Sequence, residues 1–129
     1  MAKPGLRTPL GRVRGLGAAR SGTALHIGQR ISAVALALLS PWFVVSAAVG
    51  VRGGYEGAHG WVAQPLNSVL LSLLLVAAFY HMSLGMRVIV EDYIHKTSTK
   101  QVLLLANMFL AVVLAAAAVI AVLRISFGS

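Results

Sequence analysis

Read for polarity alone, the chain divides into long runs without a charged side chain, separated by short charged stretches. Residues 31–51, 57–86 and 101–123 contain no Asp, Glu, Lys or Arg. At about 1.5 Å per helical residue, each run is long enough to cross a hydrocarbon layer of about 30 Å. A helix satisfies its own backbone hydrogen bonds in lipid, whereas an unpaired strand does not, and 129 residues are too few for a barrel of this pattern. The pattern therefore predicts an all-α integral membrane protein with three transmembrane helices, over about 31–51, 66–90 and 101–123. Residues 1–30 form an N-terminal arm, 31–123 the membrane domain and 124–129 a short tail. Pro41 falls within the first run and predicts a kink there. Gly50, Gly53, Gly54, Gly57 and Gly60 predict a loop before the second helix, with Tyr55 and Trp61 as interfacial aromatics. The run Ala115 to Ala118 suits close helix packing.

Composition reinforces the reading: 58% of the residues are hydrophobic and only 11% charged. A net charge of +8 in a soluble protein would raise the question of nucleic acid, but here the cations flank the apolar runs and no nucleic-acid partner is expected. Lys3, Arg7, Arg12, Arg14, Arg20 and Arg30 precede the first span; Arg87, Lys96 and Lys100 surround the connection after the second; Arg52 and Arg124 mark the other side. The positive-inside rule places the N-terminus in the cytoplasm and the tail outside. The arm mixes Arg with Gly and Pro, which disfavours a continuous helix, and it lacks the early apolar segment of a signal peptide. Being basic and acid-free it also resembles a mitochondrial transit peptide, so a mitochondrial inner membrane stands as the alternative to a bacterial one. With no cysteine in the chain, His is the strong candidate ligand for a transition metal.

His81 lies about nine residues, or about 14 Å, from the cytoplasmic end of the second span, a depth at which ionisable side chains are rare and face protein or cofactor. Two roles are open to it: an interhelical hydrogen bond, or an axial bond to haem iron. His81, Gly85, Val88 and Asp92 return to one face of the helix. Gly85 removes a side chain where a flat macrocycle would lie, although close helix packing asks for the same residue. Glu91, Asp92, Tyr93 and His95 gather at the helix end, and these include two of the chain's three acids. Tyr93 fits either an interfacial anchor or a hydrogen bond to a quinone carbonyl, with Asp92 relaying protons. Arg30 fits either a topology determinant or a two-pronged partner for a haem propionate. His26 and Ser21 stand near it, and His59 is expected to be exposed.

The segment HMSLGMRVIVEDYIH, residues 81–95, resembles the second helix of the succinate dehydrogenase hydrophobic membrane anchor subunits, with His, ten residues, then Asp-Tyr. The arm RVRGLGAARSGTALHIGQR, residues 12–30, resembles the N-terminal signature of α-proteobacterial and mitochondrial-type members. The resemblance implies a complex in which a flavoprotein subunit oxidises succinate, an iron–sulfur subunit carries the electrons to ubiquinone, and two anchors hold haem b. It implies His81 as one axial ligand to the haem iron, the other coming from a second, cytochrome b556-like anchor. Arg30 then corresponds to the propionate-side Arg, Gly85 packs against the macrocycle, and Tyr93 contacts quinone with Asp92 beside it. Ile27 and Gly28 depart from members that carry bulky aromatics after His26. The chain is thus expected to be a non-catalytic subunit working in the tricarboxylic acid cycle and respiratory electron transport. The anchor of a fumarate reductase, or a small structural or transport-associated membrane protein without haem, are the competing readings.

Overall fold

The computed structural model describes residues 19–128, with side chains from residue 22 onward. Helix α1 spans Ala19–Gly50, a single 3₁₀ turn spans Val51–Gly53, α2 spans Gly54–Ala63, α3 spans Pro65–Tyr93 and α4 spans Thr97–Ser126. Three helical stretches are long and apolar enough to cross a membrane: residues 22–63, Pro65–Tyr93 and Thr97–Ser126. The all-α, three-span architecture is as the polarity pattern predicts.

Three boundaries differ. Residues 1–18 of the expected arm lie outside the described residues, but Ala19 to Arg30 are helical and continue without a break into the span. Only Gly22 and Gly28 oppose helix there, at about 1 kcal/mol each, while extending an existing helix adds a hydrogen bond per residue fixed. The Gly-rich stretch expected as a loop is the 3₁₀ turn followed by α2, the two joined at Gly54, whose φ of 69° is one that glycine adopts freely. The third span, α4, starts at Thr97 rather than Gln101 and ends at Ser126, so the expected tail is mostly helical. Pro41 sits within α1, which remains one helix across it. The start of α3 follows the proline rules. Pro65 occupies its first turn, where a missing N–H costs nothing, and Gln64 before it is extended at φ −64°, ψ 130°.

One face of α1 carries most of its packing. Gly28, Ser32, Leu36, Leu39, Phe43, Ser46 and Gly50 are spaced by four or three residues and so line a single stripe. Leu36, Leu39 and Phe43 pack on the small core of Leu71 and Leu74 from α3 and Val122 from α4. Gly28 meets the Tyr80 hydroxyl so closely that a Cβ there would collide with it. At the other end, a Cβ on Gly50 would stand 2.8 Å from the Trp61 ring, and one on Gly57 would stand 2.6 Å from the Gly50 carbonyl oxygen. Small residues thus let α2 fold back onto α1. Helix α3 also packs along α4, where Asn107 Nδ2 donates to the Ser83 carbonyl at 2.9 Å.

Most large apolar side chains outside this core are exposed, among them Leu38, Val45, Leu66, Phe109 and Val112. In water so much apolar surface would be unfavourable; in a bilayer it faces lipid tails or neighbouring helices.

Candidate functional site

His81 projects from α3 toward the stripe of α1 and is half-buried. Its Nδ1 lies 3.0 Å from Ser32 Oγ, and Ser32 is itself 2% exposed. The same hydroxyl donates to the Gln29 carbonyl at 3.0 Å, a local bond across one turn of α1. Among the described residues the other ring nitrogen, Nε2, has no hydrogen-bond partner. The stripe residue Gly85, one turn on, opens onto empty space: a Cβ built there meets nothing within 4 Å among the described residues. Among the described residues, then, no helix packs against Gly85. Val88, two turns from His81 on the same face, is 45% exposed. Among the described residues the Nε2 edge of the imidazole and the helix strip at Gly85 are thus left without a neighbour.

Arg30 is two residues before Ser32, about 200° around α1, and no hydrogen bond joins it to His81 among the described residues. It is exposed, and its Nε donates to His26 Nε2 at 3.2 Å, which leaves the terminal nitrogens for other partners. His26 thereby acquires a contact that its sequence position alone does not reveal. Tyr93, the last residue of α3, is 75% exposed, and Asp92 beside it is exposed as well. Glu91 instead pairs with Arg87 one turn back, Nε to Oε1 at 2.9 Å, on the helix surface. The clustered acids thus separate: Glu91 is engaged within α3, while Asp92 stays on the His81 face. His59 is not exposed as expected but half-buried, with its ring 5.9 Å from that of Tyr55. Ser32 is the site residue that sequence reasoning missed. Its signal was present in the four-residue spacing that links it to Gly28 and Leu36.

A family model described as succinate dehydrogenase/fumarate reductase transmembrane subunit matches residues 5–122. The chain belongs to this family. It is 30% identical over 122 residues to the succinate dehydrogenase hydrophobic membrane anchor subunit of Paracoccus denitrificans, covering 95% of this chain and 94% of that one. The subunit of the same description from Rickettsia bellii is 27% identical over 116 residues, covering 90% and 93%. That of Rickettsia conorii is 30% identical over 111 residues, covering 85% and 88%. No solved structure gives a significant match. The chain is a multi-pass membrane anchor subunit of succinate dehydrogenase, a non-catalytic part of that complex. The matched region contains Arg30, Ser32, His81, Gly85, Asp92 and Tyr93.

The anchor also has a mostly apolar cleft of about 690 Å³ between α3 and α4, lined by residues including Val76, Tyr80, Arg87 and Asn107. None of the predicted site residues lines it. Among the described residues no three His, Asp or Glu side chains converge.

Proposed function

We propose that this anchor holds haem b jointly with the second, cytochrome b556-like anchor and forms part of the site at which ubiquinone is reduced. The observation that carries the reading is the pairing of an available His81 Nε2 with the open strip at Gly85. The donor set fits the group. An imidazole is a regular axial ligand of b-type iron, a glycine one turn away leaves room for a macrocycle, and Arg30 keeps free nitrogens of the kind that grip a propionate in two-pronged fashion. When bound, the haem would supply one-electron chemistry within the membrane. His81 would hold the iron from this chain, and a second ligand would come from the partner anchor.

Tyr93 and Asp92 are the quinone-side residues in this reading. A phenol at a helix end is placed to donate to a quinone carbonyl, and an exposed carboxylate beside it can pass protons from the aqueous surface. The flavoprotein and iron–sulfur subunits would dock on this end of the bundle. The complex would serve succinate oxidation in the tricarboxylic acid cycle and electron transport in a bacterial inner membrane. The family name covers fumarate reductase as well, so the second reading is that the complex also runs in the direction of fumarate reduction, since the anchor sees the quinone and not the dicarboxylate.

The test is an absorbance spectrum of the purified complex, reduced with dithionite and referenced to the oxidised form. A b-type band is expected, and a featureless difference spectrum would remove haem from the account. Activity with ubiquinone as acceptor for succinate, set against fumarate reduction by a low-potential quinol, separates the two enzyme readings.

A further inference from the structure

The hydroxyl of Ser32 stands between two neighbours, the Gln29 carbonyl and His81 Nδ1, each at 3.0 Å. It has one proton to give and two lone pairs with which to accept. The Gln29 carbonyl can only accept. If Ser32 gave its proton to Nδ1, the neutral imidazole would carry its own proton on Nε2, where no acceptor stands among the described residues. If Ser32 gives its proton to Gln29, Nδ1–H donates to Oγ and both bonds are made. Ser32 is 2% exposed, so bulk water does not compete for the two bonds of its hydroxyl.

We infer that Ser32 is a positioning residue: it commits His81 to the Nδ1–H tautomer and fixes the ring's rotation, so that the Nε2 lone pair is left free. The tautomer follows from this chain's own geometry; its use, as a preset ligand for haem iron, rests on the function proposed above. Partners of this kind orient a metal-binding His and raise its basicity, and losing one costs about 10- to 100-fold in metal affinity. Here the partner belongs to α1 and the ligand to α3, so the contact also makes the ligand's orientation depend on the packing of the two helices. Loss of the Nδ1–H bond makes the imidazole a weaker electron donor, which favours ferrous over ferric iron.

The isosteric pair Ser32→Thr and Ser32→Val tests this, since the two differ in a hydroxyl against a methyl. In the haem-free full-length chain, reconstituted in lipid with ¹⁵N-labelled His, the signal lost in His81→Ala reports the tautomer. Wild type and Ser32→Thr are expected to show protonated Nδ1 and bare Nε2, and Ser32→Val a mixture of tautomers. Protonated Nε2 in the wild type, or an unchanged signal in Ser32→Val, overturns the inference. In the purified complex, Ser32→Val is expected to retain haem about 10- to 100-fold less tightly, with a raised midpoint potential, while Ser32→Thr matches wild type. Equal retention and equal potential in the two variants would make Ser32 a packing residue only. Full haem in His81→Ala would overturn the ligand assignment while leaving the tautomer result standing, so the two failures are separable.

Discussion

Around Trp61 the chain pairs its own polar groups with one another. Its indole N–H donates to Ser46 Oγ at 2.6 Å, and its ring stacks on Trp42 at 5.7 Å and meets Phe43 edge-on at 6.0 Å. Its carbonyl accepts from Asn67 Nδ2 at 2.9 Å, and Ser68 Oγ donates to the carbonyls of Val62 and Gln64, which closes the junction between α2 and α3. Asn67 and Ser68 are two of the three buried polar residues among those described, and neither is left unpaired. The His81 to Tyr93 end is built the other way. One edge of the imidazole is tied to Ser32 and the other is left open, Gly85 faces space, and Tyr93, Asp92 and Arg30 are exposed. A single bundle thus has a region around Trp61 whose polar groups are tied to one another, and another in which His81 Nε2, Gly85, Asp92 and Tyr93 are left open among the described residues. The difference teaches where partners belong: at the Trp61 end side chains do structural work, and at the other end they are held ready for something the chain does not contain.

Variants at the two ends should therefore fail in different ways. Gly85→Leu is expected to have the largest effect: it puts a branched side chain into the open strip, and haem content should fall more than tenfold while the isolated chain stays folded by circular dichroism. Normal haem in that variant would return Gly85 to a neutral surface position. Trp61→Ala should do the reverse, lowering resistance to unfolding by about 1–3 kcal/mol because the ring is half-buried and the site is filled by packing, with haem content per assembled complex unchanged. A parallel loss of haem would show that the ends are coupled.

Tyr93→Phe removes one hydrogen bond of about 1 kcal/mol, so the succinate–quinone rate should drop about fivefold while succinate oxidation by acceptors that bypass the quinone stays level. Equal loss of both rates would point to failed assembly instead. Asn107→Leu sharpens the contrast from a neutral position. It deletes the α3–α4 bond to Ser83, and an interhelical bond in a membrane averages about 0.6 kcal/mol, so a small stability loss and no change in spectrum are expected.

What could be read from the sequence was what depends on one residue type over a long run. The absence of charge fixed three spans, Pro65 marked the start of α3, and helical periodicity placed His81, Gly85, Val88 and Asp92 on one face. Features that depend on balance between local and tertiary terms were harder. Glycine penalties argued against helix before Arg30 and across Gly50 to Gly60, yet continuation of α1 and the packing of Trp61 outweighed them. At the site, His81 was legible from its depth, whereas its bond to Ser32 joins residues 49 apart and needs the register of α1 against α3. Arg30 was legible as a cation at the mouth of the first span, whereas its bond to His26 one turn back on α1 was not.

The most direct measurement is haem bound per assembled complex in His81→Ala, taken beside Trp61→Ala. The account predicts that His81→Ala loses the haem while the subunits still co-purify, and that Trp61→Ala keeps the wild-type amount. Wild-type haem in the assembled His81→Ala complex would contradict it.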